Sequence, residues 1–283
     1  MPLINPPADQ LGRENAILGG RARRYEVARF TGPLSIKAVL SGTATWETAT
    51  GRFALGPAGC LIVNDGEQYT ISVEAPQPVE TFCIFFQRGF VEDADRSMTS
   101  SSAALLDADA PPPIEFAERL NFDGALREAI VHASRRIGDP LALDASIHAL
   151  ALELVRMRND IDARQARLPV LRRATREELR RRLDRSVAII HGRLTESLPL
   201  ATVARDACLS TFHFHRLFTS YFGETPHRYI RRLRLQRAAA LLRGGSRSVS
   251  EVALDCGFES VGSFTTLFSR HFGISPGRFR SDA

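Results

Sequence analysis

The 283-residue chain predicts an α+β multidomain protein: an N-terminal β-barrel, a helical region, and a C-terminal all-α domain in which a long helix joins two helix-turn-helix units. Three observations point there. Short β-prone runs divided by turn signals fill residues 22–87, and helical periodicity takes over from residue 123. Near the C-terminus one pattern occurs twice, fifty positions apart. Ser210, Phe214, Leu217, Phe218, Phe222, Gly223, Thr225, Pro226 and Tyr229 are answered by Ser260, Phe264, Leu267, Phe268, Phe272, Gly273, Ser275, Pro276 and Phe279. Upstream, Val203–Leu209 answers Val252–Phe258, and Glu259 is one extra residue in the second copy. Two equivalent small bodies suit a partner that is itself periodic, and duplex DNA is the first candidate.

Taken in order, residues 1–15 are polar and proline-bearing and read as an arm. Strands are expected at Leu34–Leu40, Thr43–Thr48, Arg52–Leu55, Cys60–Val63, Tyr69–Val73 and Glu80–Phe86, with Ser41-Gly42, Gly56-Pro57 and Asn64-Asp65-Gly66 as turns. Many short strands at this spacing make an antiparallel sandwich or small barrel. Residues 97–113 read as linker, and helices follow at Asp123–Arg136 and Leu141–Asn159. In the second, Ile147, Leu150, Leu154 and Met157 form one apolar stripe. Such a stripe suits either intrachain core or a partner, and its place between two domains points to a dimer helix. Helices are expected next at Arg176–His191, Leu200–Ala207, Thr211–Tyr221, Pro226–Arg243, Ser250–Cys256 and Val261–His271. Ser210 is placed as an N-cap, Pro226 opens the long helix, and Gly244-Gly245 stop it. The domains are therefore expected at 1–96 (β), 97–170 (linker and helical dimer region) and 171–283 (double helix-turn-helix).

Charge is segregated. From Arg167 onward there are 21 arginines against 10 acidic residues, a net of +11, whereas residues 1–166 hold 16 basic and 22 acidic residues, a net of −6. A basic half beside an acidic half implies a polyanion partner for one domain only. Lys37 is the only lysine, so arginine is the general cation here, but that preference does not explain the segregation. Cys60, Cys83, Cys208 and Cys256 show no metal-site or disulfide spacing; the last two are expected in core, and a redox role for Cys60 or Cys83 stays open. With no signal peptide and no run of about 20 apolar residues, the expectation is a cytoplasmic protein with no membrane partner.

In a helix-turn-helix the second helix enters the major groove, and units reading one face of DNA sit about 34 Å apart. An 18-residue helix is a rod of roughly 27 Å, the right order to span them. With Phe214, Leu217, Phe218 and Phe222 inward, the first recognition helix turns Thr211, Phe212, His215, Arg216 and Thr219 outward. Arginine and histidine can donate to guanine or phosphate acceptors, and an exposed phenylalanine can pack on a thymine methyl. The second helix turns Val261, Gly262, Ser263, Thr266 and Ser269 outward, with Arg270 near its end. No outward Arg, Asn or Gln occupies its first two turns, so it grips backbone more than it reads bases. Thr211, Thr219, Ser269, Arg270 and the rod's Arg228, Arg231 and Arg232, with Arg234 beside them, are the candidates for phosphate.

The motifs L-P-L-A-T-V-A (198–204), S-T-F-H-F-H-R-L-F (210–218), F-G-E-T-P-H-R-Y-I (222–230), V-S-E-V-A-L-D-C-G-F (249–258) and F-G-I-S-P-G-R-F-R (272–280) resemble the C-terminal domain of the AraC/XylS family of transcription regulators. The resemblance covers about a third of the chain. It implies double-stranded promoter DNA as partner, base reading by Phe212, His215 and Arg216 in the first unit, and by Val261, Gly262, Ser263 and Thr266 in the second. It also implies a homodimer, a contact with RNA polymerase, a small-molecule effector, and activation rather than repression. The family commonly has a basic residue where this chain has Thr266 and Ser269. The N-terminal half is similar to the family's cupin-like sensor domain: Gly51, Pro57 and Gly59 match the start of a cupin motif, but Ile62 stands where metal-binding cupins have histidine. No histidine occurs in residues 22–90, so no metal and no cofactor is expected.

Within the barrel, Trp46, Tyr69, Phe82 and Phe85 are the candidate effector pocket, with plain β-sheet core as the alternative; the polar tip of a tyrosine or tryptophan is what suits a small-molecule site. Two other readings compete: a cupin-type enzyme fused to a DNA-binding domain, and a barrel that serves only protein interaction. No catalytic arrangement supports the enzyme. Stoichiometric metal would revive it, and a ligand-induced thermal shift would count against the pure interaction module.

Overall fold

The computed structural model describes residues 1–49, 51–57, 59–99, 113–117, 120–122, 124–165, 167–168, 173–243 and 247–281. Most of the expected linker at 97–113, the boundary at residues 170/171, and the stop at Gly244-Gly245 lie outside them.

The N-terminal half is one eight-stranded sheet that curls into a half-barrel. Its strands are β1 (Leu3–Ile4), β2 (Ala16–Thr31), β3 (Ser35–Ser41), β4 (Ala44–Thr48), β5 (Gly51–Leu55), β6 (Cys60–Val63), β7 (Gln68–Phe85) and β8 (Leu120–Asn121). The curl comes from β7. One of its edges pairs with β2 from end to end, while the other pairs with β4 through Tyr69–Ser72 and with β3 through Glu80–Phe85. The sequence divides this strand into two runs because Pro76 and Pro78 interrupt it. Both prolines fall where the register between β2 and β7 shifts, so neither has to donate to the ladder.

The sheet also begins earlier than expected. β1 pairs parallel with the start of β2, and the Asn15 side chain accepts from the Gln87 N–H at 2.9 Å, so residues 1–15 are built into the sheet rather than forming an arm. The arginine-rich β2 hides its strand character in the sequence because most of its length is exposed on both faces.

Side-chain alternation gives the sheet two faces. The outer face presents Ile36, Ala38, Cys60, Ile62, Phe82 and Ile84 to helices α1 (Phe90–Thr99), α2 (Gly124–Ser134) and α3 (Pro140–Gln165). The stripe Ile147, Leu150 and Leu154 is fully buried in that contact. It is therefore intrachain core, which corrects its reading as a dimer seam. Each such side chain contributes roughly 1.5–3 kcal/mol by leaving water, and the outer sheet face supplies the partner.

The inner face carries Trp46, Phe53, Leu55, Leu61, Tyr69 and Phe85, and its apolar core continues into the C-terminal helices. These are α4 (Arg173–Gly192), α5 (Leu200–Asp206), α6 (Thr211–Phe222), α7 (Pro226–Arg243), α8 (Val249–Asp255), α9 (Val261–Phe272) and α10 (Pro276–Ser281). At the junction the β5 backbone meets the end of α4: a Cβ on Gly51 would lie 2.5 Å from the Gly192 Cα, and the Gly51 φ is +152°. Beside it, fully buried His191 accepts at Nδ1 from the Leu120 N–H (3.0 Å), which leaves its Nε2–H to donate to the Tyr229 hydroxyl at 2.9 Å. One imidazole thus ties β8, α4 and α7 together. Arg237 Nη1 donates to the Ala54 carbonyl oxygen at 2.9 Å, adding a second tie from α7 to the sheet.

Helix α7 serves two cores. Tyr229, Ile230 and Leu233 pack with α4, α5 and α6, while Leu235, Ala238, Ala239 and Leu242 pack with α8 and α9. The two helix-turn-helix units therefore share one continuous rod.

Candidate nucleic-acid interface

Matching local chemistry builds the two recognition helices. Ser210 Oγ accepts from the His213 N–H at 3.3 Å, and Ser260 Oγ accepts from the Ser263 N–H at 3.2 Å, so each serine caps its helix. Each helix ends on a glycine in the left-handed region, Gly223 at φ +73° and Gly273 at φ +79°. Inward, Phe214, Leu217, Phe218 and Tyr221 are buried on α6, and Phe264 and Phe268 on α9. Ser248 and Glu251 form a reciprocal capping box that opens α8.

The turn before each recognition helix is also matched, but not as expected for the cysteines. Cys256 is fully buried, whereas Cys208 is exposed with φ +56°. The equivalent of Cys208 is Gly257 (φ +79°), and the equivalent of Cys256 is Ala207. The expectation that both cysteines lie in core holds for Cys256 alone.

On the outward side of α6, Thr211, Phe212, His215 and Arg216 are exposed, and Phe212 shows 77% of its surface. The Arg216 guanidinium lies 3.3 Å from His213 Nε2 and forms no salt bridge among the described residues. The Thr219 hydroxyl donates to the His215 carbonyl oxygen at 2.7 Å. On α9, Gly262, Ser263, Thr266 and Arg270 are exposed while Val261 and Ser269 are half-buried; the Thr266 hydroxyl donates back to the Gly262 carbonyl oxygen at 3.1 Å. A Cβ at Gly262 would meet nothing within 4 Å. The first unit thus presents an aromatic, an imidazole and a cation, and the second a nearly smooth surface.

Arg228, Arg231, Arg232 and Arg270, named from sequence for phosphate, line one cleft of about 660 Å³ that runs between the units with His271. Glu224 is its acid: it bonds Arg232 at 2.9 Å and lies 3.8 Å from Arg228. Arg234 does something else. Its guanidinium donates to the carbonyl oxygens of Leu194 (2.8 Å), Glu196 (2.6 Å) and Gly257 (2.7 Å). It clamps the α4–α5 loop to the turn of the second unit, a role that charge and helical spacing do not reveal.

Trp46, Tyr69 and Phe85, three of the four residues expected in an effector pocket, line a cavity of about 490 Å³ on the inner sheet face. Phe82 does not. It sits on the outer face against α1–α3, because it is one residue out of phase with Cys83 and Phe85. Lys37 was missed. Its signal is the alternation of Ser35, Lys37 and Val39 along β3, which places the only lysine on the inner face beside Cys83. Cys60 and Cys83 point to opposite faces, so they cannot join each other. Burial pushes the Cys83 thiol up, which disfavours its reactive thiolate. Among the described residues no group of three or more His, Cys, Asp or Glu side chains could hold a metal ion, and no helix is long and apolar enough to cross a membrane.

Two family models match the chain: a helix-turn-helix domain over residues 203–282 and an AraC-like ligand binding domain over residues 21–151. The HTH-type transcriptional activator RhaS of Escherichia fergusonii is 38% identical over 99 residues, covering 35% of this chain and 36% of that protein. RhaS of Enterobacter sp. (strain 638) is 39% identical over 99 residues with the same coverage. The chain therefore spans about a third of the length of the curated relatives it matches. Among solved structures, the DNA-binding domain of AdpA in complex with a target DNA is 34% identical, with 35% of this chain and 90% of that one covered and a TM-score of 0.35. An AraC-type regulator from Chromobacterium violaceum is 30% identical, with 39% and 95% covered and a TM-score of 0.34.

Proposed function

This chain belongs to the AraC/XylS family, and from that premise we propose that it is a sequence-specific DNA-binding transcription regulator whose sheet domain receives a small-molecule signal. The observation that carries the reading is the pair of capped recognition helices held on one rod, with exposed Phe212, His215 and Arg216 on the first. An aromatic ring in solvent beside an arginine without a carboxylate is an expense without return unless a base edge meets it. We assign base reading chiefly to those three residues, with Val261, Gly262, Ser263 and Thr266 of the second unit allowing close approach. Thr211, Thr219, Ser269 and the cleft arginines Arg228, Arg231, Arg232 and Arg270 supply phosphate contacts.

The relatives named as activators favour activation, and a contact with RNA polymerase is part of the same proposal. A homodimer remains part of the proposal, but its interface must use a face other than the buried α3 stripe; Leu141 and Leu152 are exposed on the same helix. The cavity favours a sensing role for the sheet over a pure interaction module. No observation favours the cupin-type enzyme.

The test is an equilibrium titration of the full chain with duplex DNA from upstream of its own gene, over a range of salt. Expected are specific binding and a log–log salt slope matching several released counterions. No preference for that DNA over random duplex at low salt, with or without metabolites, would overturn the proposal.

A further inference from the structure

The cavity inside the curled sheet has an unusual electrostatic character. Among the described residues no carboxylate lines it. Arg21 stands exposed among its lining residues, and Lys37, the only lysine of the chain, lies just behind its wall. Lys37 is completely buried, and no acidic side chain pairs with it among the described residues. Its ammonium donates to the Tyr69 hydroxyl at 2.8 Å and stands 3.6 Å from the centroid of the Phe85 ring; Tyr69 and Phe85 both line the cavity. Two further donors on the same inner face lack partners: the indole N–H of Trp46, which lines the cavity, and the hydroxyl of Ser35, fully buried on β3 beside Phe85.

Burying a cation without an anion is costly, and burying unpaired donors adds to the cost. A buried cation and unpaired donors gathered at a cavity are the arrangement that a ligand would complete. The Lys37 ammonium, the Trp46 N–H and the Ser35 O–H can each donate to an acceptor, whereas the remaining wall, including Val27, Phe30, Ile71 and Val73, is apolar. The volume of about 490 Å³ lies within the range of small-molecule sites. We propose that this cavity binds a small amphipathic organic acid, its carboxylate held by Lys37 and Tyr69 and its apolar body packed on the inner sheet face. The proposal rests on the sensing role assigned to the sheet and names the class of molecule sensed. Desolvation lowers the Lys37 pKa from the usual 10.5 to about 7. An arriving carboxylate restores the charged form, so binding above neutral pH takes up a proton.

Trp46 is the only tryptophan, so its fluorescence reports on the cavity directly. The experiment titrates the full chain, without DNA, with octanoate, decanoate and 4-phenylbutanoate, each beside its primary amide. Expected is a saturable change with at least one acid, about tenfold or more tighter than with its amide, and proton uptake in calorimetry across buffers of different ionisation heat. Lys37→Met should erase the preference for acid over amide. Equal binding of acids and amides, no binding of any acid, or a preference that survives Lys37→Met would overturn the proposal. The acid–amide comparison on the unmodified chain decides the matter even if the variant fails to fold. Because DNA is absent from the assay, failure here leaves the DNA-binding reading standing, and loss of DNA binding leaves this one standing.

Discussion

Arg234 Nη1 donates to the carbonyl oxygen of Gly257 at 2.7 Å, joining the middle of the α7 rod to the turn of the second helix-turn-helix. The other guanidinium nitrogens hold Leu194 and Glu196 at the start of the first unit. A single planar side chain therefore adds a second tie between the two units beside the shared rod. A Cβ on Gly257 would meet the Thr195 carbonyl oxygen at 2.7 Å, so the turn packs tightly against that same loop.

Arg234→Ala should cost about 1–3 kcal/mol of stability, because it strands carbonyl oxygens that the guanidinium satisfied. Arg234→Lys should recover little, since one ammonium cannot reproduce the three-way fork. The distinguishing measurement is DNA affinity. Binding to a full site should weaken while binding to a duplex carrying only the first unit's half stays near that of the unmodified chain. An equal loss on both would mean that Arg234 touches DNA itself.

Arg216→Ala should weaken binding to a cognate site by about 1–3 kcal/mol and relax one base preference. Thr266→Ala, on the second unit, should cost less than about 1 kcal/mol, because its hydroxyl is already engaged with Gly262. Competition titrations against a library of single-base variants check both. An equal loss on cognate and random duplex would make Arg216 a phosphate contact.

Gly51→Ala should loosen the junction between the sheet and α4. The added methyl would collide with the Gly192 backbone, which has no flexible end to swing away. A cost of about 1–3 kcal/mol is expected from the overpacking, with faster amide exchange along β5 and at the end of α4. Protection unchanged at both places would refute the prediction.

Lys37 makes stability depend on pH in a stated direction. Its folded pKa, about 7, lies below the unfolded 10.5, so between those values the unfolded chain holds more protons and stability rises with pH. Above about 9 the buried thiol of Cys83, pushed up by burial, works the other way as the unfolded thiol ionises. The rise should therefore be sought between pH 7 and 9. Lys37→Met should flatten it and add a few kcal/mol near neutrality, as read from denaturant melts of both proteins across that window. Parallel pH profiles for the two proteins would show that the lysine is not the source.

The C-terminal half was legible because its repeat is local: serine cap, phenylalanine spacing and terminal glycine act within a dozen residues, and they placed α5 to α9 within a residue or two. The outward set on α6 followed from that phase. The sheet was less legible. β2 carries arginines on exposed faces and offers no alternation to read, and the proline pair divided β7 although the bend needs no hydrogen bond there. Phe82 belongs to the outer face because it is one residue out of phase with Cys83 and Phe85, and aromatic character alone does not carry that phase. The α3 stripe shows the limit of periodicity, which reveals that a face is buried but not what covers it. Arg234 and Lys37 were opaque for a related reason. Their meaning lies in partners 23 to 40 positions away, Gly257, Leu194 and Tyr69, which no local pattern brings into view.

The meeting of Gly51 and Gly192 has a practical corollary for building hybrid regulators. Sensor sheets and DNA-reading halves are tempting modules to exchange at a linker. Here the seam runs through bare backbone on both sides, with His191 and Tyr229 locked behind it. A graft that replaces the sheet but keeps α4 inherits only one half of a fitted joint. The β4–β5 hairpin and the last turn of α4 should travel together, as a single cassette.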